Sequence, residues 1–377
     1  MDFFGSIQHH DIGEYYDNLL RKMDEVESVY MYGSSTFFHN CIKWITSKGK
    51  IQILSKIRGV CDLDVRKYGT TVLGIPICSP QVLKEIVGKQ GAQQLFVLIT
   101  CTHADRIIPE LESFGFNERN YGIFCIDRSN SLDEFSNYYH SHKNDFEMIY
   151  NILEDEKSKV CFSNLINFRL SGDLHYLREI SDNIEEQYFD KELIDLDNAI
   201  YLDCGAYDGD TVKWIDRYSN GRYSKIISLE ADPQIFAKLC KNASVKRDVY
   251  CLNKAVWSEE SELSFSSIPD ALGNYVTADG NIVVKADKID SIVGLEKISH
   301  IKMDIEGAEI PALLGAFNTI EKNHPVLAIC VYHRVDDYIR IPLLIKAMNP
   351  GYRLYFRHYK VSDAWETVCY AIMKQEE

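Results

Sequence analysis

One run near the middle of the chain narrows the possible folds more than any other. Ala199-Ile-Tyr-Leu-Asp203 reads as a strand, Cys204–Asp210 as a glycine turn, and Thr211–Tyr218 as the start of a helix. A strand that enters a glycine turn and leaves as a helix aims backbone N–H groups at one spot, as a cofactor-binding turn in a parallel sheet requires. The alternation continues. Strand Lys225–Leu229 ends in Glu230, then come helix Pro233–Asn242, strand Val249–Val256, the strand and loop Ile301–Gly307, helix Glu309–Asn323, strand Val326–Tyr332 and helix Asp336–Met348. This is the pattern of an α/β sheet with parallel strands. Strands Tyr352–Tyr359 and Thr367–Met373 follow with no helix between them, so they should form an antiparallel edge.

A similar alternation occupies the leading part of the chain: Val29–Tyr32, Ile51–Leu54 with Gly59–Cys61, Leu95–Cys101 and Gly122–Ile126. With 377 residues the chain is long enough for two cores. The reading is an N-terminal α/β domain over 1–127, a polar helical connector over 128–197, and a second α/β domain over 198–377. The connector is also a candidate cover for the mouth of the second domain. Gly33 lies where a strand meets a helix, but Ser35 and Phe38 hold the later glycine places, so this turn reads as packing. Asp62 and Asp64 at the end of the next strand read either as ribose ligands or as solvated loop acids.

Charge excludes some functions. With 41 basic and 56 acidic residues the net charge is −15, which repels a nucleic-acid backbone. Eleven cysteines without a Cys-x-x-Cys pair fall mostly in apolar runs and read as reduced core residues. No stretch approaches the roughly 18 apolar residues of a membrane span, and the N-terminus lacks a leader pattern, so the expected location is cytoplasmic. The expected partner is a small-molecule or carbohydrate acceptor, with homo-oligomerisation left open.

Glycine spacing selects among cofactors. A dinucleotide turn uses glycines at positions one, three and six, whereas Gly205 and Gly209 are four apart and follow Asp203. This favours S-adenosylmethionine over a nicotinamide cofactor. Glu230 ends the next strand, placed to take both hydroxyls of a ribose. Segment Ser264–Asn281, with Ser266, Ser267, Gly273 and Asn274, reads as a substrate-facing loop or a hairpin, while His9 and His10 read as a solvated terminus. Tyr352, Tyr355, Phe356 and Tyr359 read as edge-strand packing.

These residues resemble a known family. Asp203-Cys-Gly-Ala-Tyr-Asp-Gly-Asp-Thr211, Glu230-Ala-Asp-Pro233, Asn242, Ala255-Val256, Ile301-Lys-Met-Asp-Ile-Glu-Gly-Ala-Glu309 and Leu313-Leu-Gly-Ala316 are similar to the FkbM-type methyltransferases. Val331-Tyr-His333 and Arg357-His-Tyr359 are similar to a subgroup from bacterial polysaccharide gene clusters, and the leading part looks like a Rossmann-like extension that some members carry. Tyr207 departs from the family, which commonly has Asn there. The resemblance implies a class I methyltransferase fold, a seven-stranded Rossmann-like sheet of order 3-2-1-4-5-7-6 with strand 7 antiparallel. It implies methyl transfer from S-adenosylmethionine to an oxygen of a sugar, glycan or related small molecule. The alternative is a scaffold that keeps the cofactor site without catalysis. The implied cofactor residues are Asp203, Gly205, Ala206, Tyr207, Gly209, Thr211, Glu230, Ala231, Asp232, Ala255 and Asp304.

A sugar hydroxyl ionises far above neutral pH, so a base must take its proton, and a histidine near its ordinary pKa suits the task. His333, just past the fifth strand and within reach of Asp304 and Glu306, is the first candidate, and His358 the second. Asp304, Glu306 and His333 also form a possible set of ligands for a divalent cation such as magnesium.

Overall fold

Short apolar runs separated by helices assemble into two sheets with parallel cores in the computed structural model, which describes residues 2–8, 12–101, 103–124, 132–266, 275–276, 280 and 282–373. His9, His10, the 127/128 boundary, and Ser267, Gly273 and Asn274 with much of their segment lie outside the described residues. The first sheet contains β1 (Ser28–Tyr32), β2 (Ile57–Cys61), β3 (Thr71–Val72), β4 (Ile75–Cys78), β5 (Leu95–Ile99) and β6 (Tyr121–Ile123), in the order β3-β4-β2-β1-β5-β6. Only β3 runs antiparallel to its neighbour. Val29, Met31, Phe96 and Leu98 pack on one face, and Tyr30, Tyr32, Val97 and Ile99 on the other, the two-residue period of a sheet covered on both sides.

Ile51–Leu54 is a helical turn, not the strand expected. It follows helix Thr36–Ser47 closely, buries Ile53, sets Leu54 against the same core and leaves Ile51 exposed. The Gly33 turn is explained by packing: at φ 108° a Cβ there would lie 2.7 Å from Cys101 Cβ. Asp62 is engaged inside the protein, accepting from the Ser34 amide at 3.2 Å and from Lys67 at 3.0 Å.

The second sheet contains β7 (Ile200–Cys204), β8 (Lys225–Leu229) and β9 (Val249–Leu252). A small third sheet follows in the chain, formed by β10 (Ala255–Val256), β11 (Ser261–Ser266), β12 (Tyr275–Val276) and β13 (Ile282–Asp287). The second sheet then resumes with β14 (His300–Met303), β15 (Val326–Cys330), β16 (Tyr352–His358) and β17 (Thr367–Met373). Its row is β16-β17-β15-β14-β7-β8-β9, and β17 is antiparallel to both of its neighbours. Read from β9 with its own strands numbered along the chain, that row is 3-2-1-4-5-7-6.

Val249–Val256 is not one strand. Asn253 turns out of it to donate to the carbonyls of Glu230 and Ala231, which sends β10 into the small sheet. Helix Glu309–Asn323 is likewise broken, into Glu309–Leu314 and Phe317–Asn323. Between them Gly315 presses on the Trp257 carbonyl, which would lie 2.0 Å from a Cβ.

The connector flanks the sheet edge. Helices Glu156–Ser171 and His175–Ile180 lie beside β16, with bridges from Leu153 to Leu354 and from Ser181 to His358, and helices Leu132–Ser141 and Lys143–Ile152 pack on Glu156–Ser171. Phe3, in the short N-terminal helix, packs on Tyr150 and Phe162 of this layer. Arg357 fastens it: the buried guanidinium donates to Asp155 at 2.8 Å, Asp190 at 2.9 Å and Ser158 at 2.9 Å. Removing one partner from a buried ion pair costs about 3–5 kcal/mol. Arg357→Met is therefore expected to lower the unfolding free energy measured in urea by that amount, and a loss below about 1 kcal/mol, the range of exposed pairs, would refute the clamp.

Candidate functional site

The candidate crevice lies at the carboxyl ends of β7 and β14, which run side by side. Gly205, at φ 80°, and Ala206 donate their amides to the Leu229 carbonyl at 3.0 and 2.9 Å, which folds the glycine loop toward β8. A Cβ on Gly205 would sit 1.9 Å from the Asp304 carbonyl oxygen, so only glycine lets these two loops meet. Gly209, at φ 88°, opens helix Asp210–Tyr218. Tyr207 is half exposed and held at φ 45°, a left-handed conformation that Asn tolerates better than an aromatic residue. That preference gives a physical reason for the Asn common at this place in the resembling family.

Glu230 spans the loop. Its Oε2 accepts from the Tyr207 amide at 3.0 Å and its Oε1 from the Asp232 amide at 2.8 Å. Burial pushes this carboxyl up to about 7, outweighing those two bonds. Other expected cofactor residues serve the loop from behind. Asp232 caps helix Pro233–Ala243 by accepting from Gln234 and Ile235, Ala206 is buried against Leu239 and Ala243, and Thr211 is buried at the helix start. Ala231 and Ala255 pack in the small-sheet core. Asp203 is fully buried and faces Lys302 at 3.2 Å, away from solvent.

Across the crevice, Asp304 follows β14. Its Oδ2 accepts from the Tyr188 hydroxyl at 2.9 Å and its Oδ1 from the Tyr332 hydroxyl at 3.1 Å. His333 lies between carboxylates, with Nε2 3.3 Å from Asp304 and 3.6 Å from Glu306, and Nδ1 3.0 Å from Glu309. Burial favours neutral imidazole, but Glu309 and Asp304 outweigh it and raise its pKa well above the ordinary value. The same contacts, with Lys302, hold Asp304 well below the usual range against its burial. His333 is thus within reach of Asp304 and Glu306 where the sequence placed it, among carboxylates that favour its protonated form. Glu306 is the most exposed acid of the group, its side chain 34% accessible, and sits at φ 56°. Burial lifts it to about 7, with His333 opposing.

Asp304, Glu309 and His333 can each bring one ligand atom within 4.8 Å of the others. They do not fit a cation well. Asp304 already accepts from two tyrosines, and both His333 nitrogens already lie within ion-pair distance of carboxylates. Glu309 replaces Glu306 in this cluster, and no step below uses a metal.

His358 stays out of the group. It is fully buried, with Nδ1 2.9 Å from Thr367 Oγ1 and Nε2 against the Lys360 carbonyl. Burial pushes it down to about 3. Because its folded pKa lies below the ordinary 6.5, the unfolded chain takes up a proton below that pH that the folded chain refuses. Stability is therefore complete above about 6.5 and falls as pH drops toward 3. Between pH 6.5 and 4.5 the loss from His358 is about 2–3 kcal/mol. Urea titrations of His358→Asn should be flatter than wild type by that amount across this window, and parallel curves would contradict the assignment.

Tyr352, Phe356 and Tyr359 are buried and Tyr355 partly so, in keeping with edge packing. Sequence reasoning missed Tyr188, Lys302, Glu309 and Tyr332 as members of the site. Lys302 and Glu309 stand inside the quoted string and Tyr332 beside His333, whereas Tyr188 enters from the connector with no local signal.

The glycine loop and the acids that oppose it stand at the carboxyl ends of the strands of a sheet of order 3-2-1-4-5-7-6. Residues 203–358 match the methyltransferase FkbM domain. A solved FkbM methyltransferase from Methylobacillus flagellatus KT is 19% identical, with a TM-score of 0.65, over 94% of this chain and 93% of that one. The match to Aeropyrum pernix fibrillarin with bound S-adenosyl-L-methionine is looser, at 13% identity and a TM-score of 0.31, over 48% of this chain and 71% of that one. No curated protein matches. Among the described residues no helix is long and apolar enough to cross a membrane, and the cysteines are free thiols.

Proposed function

We propose that the chain transfers a methyl group from S-adenosylmethionine to a hydroxyl oxygen of a sugar, glycan or related small molecule, in bacterial polysaccharide or secondary metabolism within the cytoplasm. The three segments 1–127, 128–197 and 198–377 then act as an N-terminal α/β domain, a helical connector and the transferase domain. The observation that carries the reading is Glu230, a half-buried carboxylate whose two oxygens are fixed on the glycine loop by two amides and retain lone pairs for a diol.

When bound, S-adenosylmethionine supplies an electrophilic methyl group on a sulfonium. Glu230 holds the ribose hydroxyls, and the backbone at Gly205 and Gly209 accommodates the amino-acid part. Asp304, kept ionised by His333, Tyr188 and Tyr332, sets a fixed negative charge on the other side of the crevice. His333 is doubly paired, so Glu306 takes the acceptor proton. Its raised pKa suits a base working near neutrality.

The test incubates the protein with methyl-labelled S-adenosylmethionine and a panel of nucleotide sugars and oligosaccharides. Label on a hydroxyl oxygen is the expected result. Label on nitrogen or carbon sinks the O-transfer reading, and failure to bind S-adenosylhomocysteine sinks the cofactor reading.

A further inference from the structure

Lys302 is a buried charge that the chemistry above leaves without a task. It sits in β14, 3% exposed, and its ammonium meets three groups: the Gly205 carbonyl at 2.7 Å, Asp203 at 3.2 Å, and the Tyr188 ring at 5.1 Å from the centroid. The parallel register sets Lys302 directly opposite Asp203, so both side chains emerge on one face of the sheet. Burying an ammonium carries a desolvation cost that an aliphatic side chain avoids, and Ile301 and Met303 on the other face show what packing alone would place there.

The three contacts explain the charge. Gly205 is the hinge of the glycine loop, and its carbonyl needs a donor, which Asp203 cannot be. Tyr188 in turn donates to Asp304. We infer that Lys302 is a positioning residue that holds the glycine loop in its ligand-accepting shape and ties it, past the Tyr188 ring, to Asp304. Asp203 then acts on the cofactor at second hand, by orienting Lys302, rather than by touching it. The inference rests on the reading of the crevice as the S-adenosylmethionine site.

A single substitution of Lys302 leaves Asp203 buried without its partner, so lost binding could reflect lost stability alone. Asp203→Asn with Lys302→Met removes both charges and separates the two effects. The double variant is expected to melt close to wild type, while S-adenosylhomocysteine affinity by calorimetry falls about tenfold to a hundredfold, for one lost charged hydrogen bond. Hydrogen exchange at the amides of residues 205–209 should accelerate at the same time, because the loop has lost its anchor. Lys302→Gln keeps an N–H donor for Gly205 and should bind several-fold better than Lys302→Met.

A double variant that melts and binds like wild type overturns the inference. So does a folded Lys302→Gln no better than Lys302→Met, a comparison that decides the matter if the double variant does not fold. If wild type fails to bind S-adenosylhomocysteine, the cofactor reading falls, and the exchange rates alone decide whether Lys302 holds the loop.

Discussion

Glu230→Ala is expected to weaken S-adenosylhomocysteine binding by about a hundredfold or more. Two hydrogen bonds from a ribose diol to a charged carboxylate contribute about 1.5–3 kcal/mol each, and every 1.4 kcal/mol is tenfold in affinity. The geometry favours the upper part of that range, because the carboxylate is already oriented by the amides of Tyr207 and Asp232 and loses little freedom on binding. The same residue gives affinity a pH dependence. Burial raises Glu230 to about 7, so below that pH the carboxyl carries a proton and one oxygen no longer accepts freely. Wild-type affinity should fall as pH drops through 7, and Glu230→Ala should show no such step. Calorimetry at pH 8 and pH 6 on both proteins checks both statements. Unchanged affinity in the variant would remove Glu230 from the site.

Gly205→Ala should be more damaging still. Its Cβ would lie 1.9 Å from the Asp304 oxygen and 2.9 Å from the Asp304 carbonyl carbon, both backbone atoms that no rotamer change can move aside, and φ 80° adds strain for any side chain. Relief requires the loops after β7 and β14 to part, and those loops carry the two walls of the crevice. A cost on the order of 4–5 kcal/mol is expected, in the exceptional range for one substitution and a large part of total stability. Gly315→Ala is the informative comparison. Its Cβ would meet the Trp257 oxygen at 2.0 Å, an equally severe contact, but outside the crevice. Both variants should lose stability in urea, while only Gly205→Ala loses S-adenosylhomocysteine affinity in whatever protein remains folded. A Gly205→Ala protein with wild-type stability would show that the loops do not approach as described.

Much of the architecture was legible before any coordinates, for a local reason. Alternating apolar runs and helical patterns reveal a parallel sheet wherever each strand is buried on both faces, so β7, β8 and β15 fall where the pattern puts them. Reading failed where a distant atom decided the outcome. Nothing near Gly315 announces that Trp257 will break the helix, and nothing near Asn253 announces that Glu230 and Ala231 will draw it out of a strand.

The candidate site divides the same way. Gly205, Gly209, Glu230, Asp304 and His333 were visible as residue types at telling places, since loops at the carboxyl ends of parallel strands converge whatever their detail. Their electrostatic states were not visible. Asp304 and Glu309 flank His333 and favour its protonated form, desolvation raises Glu306 against the pull of His333, and Asp203 turns inward because Lys302 stands opposite in the register. The order of residues along the chain determined which strands and turns form and which acids reach the crevice. Tertiary structure alone decided which of those acids are ionised, which face the opening, and that Tyr188 joins them from the connector, because charge state and orientation depend on neighbours brought together only by folding.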